Sequence, residues 1–126
     1  MKNRLLVLSA LLALSLTLPS VAVAQDAAAG DGVFKRVCSV CHNATVDGPR
    51  KLGPTLHGVV GRKAASVEGF RYSAAKRDAD LVWTPEKLDT YLLNPREFMP
   101  GTTMAYAGLK SDADRKNLIA FLKTNK

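Results

Sequence analysis

The stretch Cys38-Ser39-Val40-Cys41-His42 decides how the rest of this 126-residue sequence is read. Two cysteines three apart at a helix end place their sulfurs on nearly one face. A histidine follows directly. C-x-x-C-H is the known attachment pattern of c-type haem. The two thiols add to the two vinyl groups of one porphyrin, and His42 lies under the ring and offers a nitrogen to iron. Its other ring nitrogen then requires an acceptor that fixes the imidazole's orientation.

Other chemistries of the same residues fit less well. A thioredoxin-like redox pair needs a preceding strand and a βαβ setting, but the segment before Cys38 has helical period. A zinc site wants four ligands, and Cys38, Cys41, His42 and His57 are oddly spaced for one. A structural disulfide suits an oxidising compartment, yet it would close only a tiny loop. With no further cysteine in the chain, a disulfide-rich scaffold is excluded.

The start of the chain supplies that compartment. Lys2 and Arg4 precede an apolar run from Leu5 to Leu18, and Ala22-Val23-Ala24 ends the segment. A positive start, a short apolar run and a small-x-small exit describe a secretory signal peptide over residues 1–24. The run is shorter than the roughly 20 residues a spanning helix needs. An uncleaved membrane anchor is the alternative. Cleavage after Ala24 removes Lys2 and Arg4 and no acid, so the formal charge falls from +7 to +5. Residues 25–126 then form a single exported domain, too small for a multi-domain enzyme or a channel. A domain of that size often needs a staple beyond its apolar core. A +5 charge suits docking to an acidic protein surface. The Lys and Arg residues are scattered and the chain is exported, which argues against nucleic acid.

Three segments carry helical period. Gly30, Phe34, Val37 and Cys41 recur at spacings of four, three and four, one face of an amphipathic helix expected to end near His42. Thr84-Pro85-Glu86 reads as N-cap, first helical position and first-turn acid. Leu88, Tyr91 and Leu92 continue that helix, and Asn94-Pro95 stops it. Ser111-Asp112-Ala113-Asp114 resembles a capping box with Asp in the Glu place, followed by Leu118, Ile119, Phe121 and Leu122. A short helical turn is expected around Ser73–Lys76. Residues 43–72 and 94–110 are Gly/Pro-rich loops. Two such loops in one small domain imply that something besides chain packing fills its middle. No stretch alternates, so the class is all-α with long loops and no sheet.

A haem with one histidine leaves a face open. Met99, Met104 and His57 are the candidates for it. Met104 ends the constrained stretch Pro100-Gly101-Thr102-Thr103-Met104, where a rigid loop holds a thioether against exchange for water. His57 ranks second on chemistry alone. Met99, directly before a proline, reads as packing.

At this point the residues resemble the class I c-type cytochromes, closest to mitochondrial cytochrome c and its periplasmic bacterial relatives. The resemblance runs from about Gly30 to Lys123. It is carried by Gly30 with Phe34, by Cys38-x-x-Cys41-His42, and by Lys51-Leu52-Gly53-Pro54-x-Leu56-His57-Gly58-Val59-x-Gly61-Arg62-Lys63. It continues in Gly69-Phe70-x-Tyr72-Ser73, Trp83, Leu88-x-x-Tyr91-Leu92 and Asn94-Pro95. Pro100-Gly101-Thr102-x-Met104, Gly108-Leu109-Lys110 and Leu118-Ile119-Ala120-Phe121-Leu122 complete it.

The resemblance implies the small cytochrome c fold, with three main helices and long Gly/Pro-rich loops around one covalently bound haem c per chain. Cys38 and Cys41 look like the thioether attachments, His42 the proximal ligand and Met104 the distal one. Pro54 looks like the carbonyl that accepts the second His42 proton. Tyr72 and Trp83 look like donors to a haem propionate and Arg62 like the cation that offsets its charge. Tyr91 and Thr102 look like groups near the Met104 sulfur. Gly30 and Phe34 look like the contact where the first helix crosses the last, against Leu118 and Phe121. His57 matches a family histidine that does not bind iron. Two positions depart from the pattern: Thr103 stands where mitochondrial relatives carry lysine, and Lys76 where an asparagine is usual.

The implied function is a monomeric periplasmic electron carrier rather than an enzyme, its iron cycling between Fe(II) and Fe(III). The implied partners are membrane or periplasmic redox proteins such as a quinol–cytochrome c reductase, a dehydrogenase or a terminal oxidase, met through basic residues around the haem edge. The alternative is a gas-binding or peroxidatic haem protein with an open or labile sixth site. A domain that works only inside a larger redox complex is a third reading.

Overall fold

The computed structural model describes residues 25–126; the segment read as a signal peptide lies outside them. In chain order come α1 (Ala27–Val37), α2 (Ala74–Asp78), α3 (Pro85–Leu93), α4 (Pro95–Phe98) and α5 (Asp112–Thr124). Among the described residues there is no strand, and the one isolated antiparallel bridge joins Lys63 and Val82. None of these helices is long and apolar enough to cross a membrane. The all-α expectation holds, with three long helices and two short ones.

Each long helix begins as its sequence directs. The Asp26 carboxylate accepts from the Ala28 and Ala29 amides at 2.8 and 3.1 Å and caps α1. Thr84 caps α3, with Pro85 at the first position and Glu86 in the first turn. Ser111 Oγ accepts from the Asp114 amide at 3.2 Å and caps α5. Among the described residues only that arm of the expected capping box forms, and Asp114 instead takes the Arg36 guanidinium at 2.9 Å. That ion pair ties the end of α1 to the start of α5.

The first helix ends earlier than its periodicity suggests. Its last residue is Val37 and Cys38 caps it, so Cys41 and His42 lie in the turn beyond. The Ser39 amide reaches back to the Phe34 carbonyl at 2.9 Å, and the Cys41 and His42 amides both donate to the Cys38 carbonyl. The tight turn keeps the two cysteines close without a regular helix. The short α4 after Asn94-Pro95 was expected to be loop; proline's fixed φ favours a new first turn there.

α1 crosses α5 at Gly30. A Cβ on Gly30 would stand 1.9 Å from the Asn117 carbonyl oxygen and 2.7 Å from Phe121 Cβ. Only glycine permits this approach. Around it the Phe34 and Phe121 rings lie 5.4 Å apart, and Val33, Leu118, Ile119 and Leu122 are buried. The Asp26 amide donates to Asn117 Oδ1 at 2.9 Å and anchors the entry to α1. Arg115, itself buried, joins α5 to α3 through Asp89 at 2.8 Å and also takes the Leu109 and Lys110 carbonyls, each at 3.0 Å.

Gly30→Ala should therefore destabilise the protein by about 2 kcal/mol or more, through overpacking. Gly32 has nothing within 4 Å of its added Cβ, so Gly32→Ala should be neutral or stabilising by about 1 kcal/mol through helix propensity. Denaturant unfolding of both variants checks the contrast.

Candidate functional site

The middle of the molecule is a cavity of about 290 Å³, close to the small end of cofactor sites. It is the space that the two Gly/Pro-rich loops left unfilled in the sequence reading. Cys38, Cys41, His42, Pro54, Arg62, Tyr72, Trp83, Tyr91, Thr102 and Met104 all line it. The ten residues read as cofactor-binding thus meet at one site. His57 and Met99 do not line it; Met99 is buried in the apolar core instead.

His42 is aimed by the loop that follows it. Its Nδ1 donates to the Pro54 carbonyl at 2.7 Å, which leaves Nε2 with a lone pair. The Gly53 amide donates to the Cys41 carbonyl at 2.7 Å and brings the loop against the imidazole. A Cβ on Gly53 would stand 2.2 Å from His42 Cε1. The sequence pattern assigns Gly53 no role; its position immediately before the accepting proline is the signal for one. Burial holds the His42 pKa below 6.5, and nearby Lys76 and Lys51 act the same way against the Pro54 bond. The imidazole is therefore neutral at pH 7, the state a metal ligand needs.

Cys38 and Cys41 are half-buried and not bonded to each other. Burial, aided by Cys41, pushes the Cys38 thiol up to about 11. Among the described residues no cluster of three His, Cys, Asp or Glu side chains gathers, so the four-ligand zinc reading finds no site there.

Met104 lies on the cavity wall contributed by the second loop. The Tyr91 hydroxyl donates to its Sδ at 3.6 Å and lies 3.4 Å from Thr102 Oγ1. Burial raises the Tyr91 pKa, with Thr102 opposing, so the phenol keeps its proton as a donor. Tyr91 packs on Trp83 with ring centres 4.9 Å apart. The Tyr72 hydroxyl accepts from the Val67 amide at 3.1 Å, which leaves its own proton for another acceptor. Arg62 spans the first loop, donating to the His57 carbonyl at 2.6 Å and to Thr55 at 2.8 Å.

The charges around the cavity are of one sign. Arg62, Lys63 and Lys76 line it, and no carboxylate does. An apolar cavity with two thiols, a neutral imidazole, a thioether and only cations suits a macrocycle that carries carboxylates. Haem meets each of those demands: vinyl groups for the thiols, iron for imidazole and thioether, and propionates for the cations.

Comparison with known proteins gives the same result independently. A sequence model of the family described as cytochrome c matches residues 27–126. The chain is 47% identical over 102 residues to the cytochrome c-type cyt cy of Rhodobacter capsulatus, covering 81% of this chain and 50% of that protein. It thus spans half the length of that relative. It is 46% identical over 98 residues to cytochrome c of Gibberella zeae, covering 78% and 92% of the two chains. With cytochrome c of Trypanosoma brucei brucei it shares 53% over 83 residues, 66% and 89% of the two chains.

Gly53→Ala should push the His42 ring off the Pro54 carbonyl. The expected outcome is at least a tenfold loss of haem absorbance per purified chain, while Gly32→Ala retains it. Normal haem content in Gly53→Ala would show that the ring is not held by this contact.

Proposed function

We propose, from the premise that the chain belongs to the cytochrome c family, that it is an exported periplasmic carrier of single electrons. The family's covalently attached haem c and its electron-transfer rather than enzymatic role come with that membership. The finer assignment rests on one observation. A neutral imidazole with Nε2 unengaged and a thioether with a phenol donor line the same cavity as the two cysteines.

Bound there, haem supplies a one-electron Fe(II)/Fe(III) couple whose potential is raised by histidine–methionine ligation. Cys38 and Cys41 tether it. His42 presents Nε2 to iron, and the Pro54 carbonyl fixes its tautomer. Met104 is the second ligand; the Tyr91 hydroxyl, with Thr102 beside it, holds the sulfur in place. Tyr72, Trp83 and Arg62 take the carboxylate-bearing edge. A thioether anchored by a phenol favours the carrier over a protein with an open sixth site.

The periplasmic assignment rests on the signal-like residues 1–24, removed after Ala24, and agrees with a bacterial relative at 47% identity. Residues 25–126 then act as one monomeric cytochrome c domain. Its partners are membrane or periplasmic redox proteins, a quinol–cytochrome c reductase, a dehydrogenase or a terminal oxidase, which the +5 mature charge would attract through acidic surfaces.

Absorption spectra of protein recovered from the exported fraction, starting at Gln25, test the ligand set. Met104→Ala should open the iron to carbon monoxide at neutral pH and lower the midpoint potential. Met99→Ala should do neither, costing only about 2–5 kcal/mol of core packing. Loss of the sulfur-to-iron band in Met99→Ala alone would overturn the assignment. Docking has its own test. Electron transfer to an acidic redox partner should slow as salt rises, and a flat dependence would refute basic docking.

A further inference from the structure

Arg62, Lys63 and Lys76 give the cavity its positive sign, and Lys76 differs from the other two in its surroundings. Lys63 pairs with Asp80 at 3.0 Å, and Arg62 is engaged by loop carbonyls. Among the described residues no carboxylate or carbonyl pairs with the Lys76 ammonium. Its Nζ instead stands 4.1 Å from the centre of the Tyr91 ring and 4.5 Å from that of Trp83. Contact with two π-faces stabilises an ammonium without neutralising it. The backbone is fixed as well: Ser73 caps α2 by accepting the Lys76 amide at 3.2 Å. Burial pushes Lys76 down to about 8, so it remains mostly charged at pH 7.

A fixed positive charge in a low-dielectric wall favours whichever redox state is less positive. Adding one electron to Fe(III) gives Fe(II) and removes one unit of positive charge from the cavity. We propose that Lys76 sets the reduction potential of this protein, its ammonium over Tyr91 and Trp83 disfavouring the oxidised state. The ring it covers is also the one whose hydroxyl reaches the Met104 sulfur.

This inference rests on the electron-carrier reading, and its test separates the two. The holoprotein and its Lys76→Gln, Lys76→Met and Lys76→Arg variants are titrated potentiometrically at pH 7, with the sulfur-to-iron band recorded for each. At roughly 10 Å and an effective dielectric constant near 20, an uncompensated charge shifts an equilibrium by about tenfold or more. The Fe(II)/Fe(III) ratio at fixed ambient potential should therefore fall about tenfold in both neutral variants, or about 59 mV for one electron. Lys76→Arg should restore it to within about twofold. Potentials of both neutral variants unchanged within twofold would overturn the inference. So would an arginine variant as low as the glutamine one, or loss of the band in both neutral variants, which would make Lys76 a structural support. A parent protein with no one-electron couple would instead refute the carrier reading itself.

Discussion

The hydrogen bond from His42 Nδ1 to the Pro54 carbonyl, 2.7 Å long, is the constraint on which the rest of the site depends. A metal-binding imidazole must be neutral, in one tautomer and in one orientation. This bond sets tautomer and orientation together, and burial keeps the ring uncharged. It also explains the loop that follows. Residues 43–54 leave the cysteine turn and return, held by the Gly53 amide on the Cys41 carbonyl and by the Leu56 amide on Asn43. Gly53 lets the returning backbone lie against the ring, and proline leaves a carbonyl but no competing donor at the point of contact. The loop is an acceptor built around one nitrogen.

The same logic accounts for the open centre. α1 and α5 make a close contact of their own at Gly30, Phe34 and Phe121. α3 joins them through Arg115. These contacts close one side of the domain only. The two loops and inner faces of the helices surround a cavity. A chain this small has little apolar surface to spare, and here a tethered cofactor completes the core. Function and stability thus share one set of contacts.

How much of this was legible in the sequence depends on the range of the interaction. Thr84-Pro85-Glu86, Asn94-Pro95 and Ser111 marked real helix ends, because caps and prolines act within a few residues. The first helix was read about five residues too long, to His42 instead of Val37. Period alone does not reveal that the chain tightens after Val37, and Cys41 kept the apolar spacing while leaving the helix. α4 escaped notice because four residues show no period. The ten site residues do meet at one cavity, but the C-x-x-C-H motif alone supplied only three of them. Met104 stood first among the candidates for the open face on loop chemistry, and the remaining six came from resemblance, since a contact such as Tyr91 with Met104 depends on where two loops meet. The separation of Met104 from Met99 was legible locally, from a constrained loop against a residue directly before a proline: five residues apart, one faces the cavity and the other fills the core.

The basic composition also acquires a meaning that counting charges did not reveal. Among the described residues there is no strand, and cationic side chains join the backbone amides in binding carbonyls of the irregular segments. Arg62 holds two carbonyls of the first loop, Lys51 the Ser39 carbonyl, and Lys110 the Leu93 carbonyl. Arg77 takes the Tyr72 carbonyl and Arg115 two more. Lys35, Lys63 and Lys116 are paired with Asp31, Asp80 and Asp112. Hydrogen bonds to carbonyls leave the charge in place, so the long-range field that would steer a partner survives. The geometry, however, is already committed. A long flexible cation bonded to its own backbone cannot reach a partner without releasing a loop that positions the site. The positive charge of this chain is first a means of holding irregular backbone in place and only then a means of attraction.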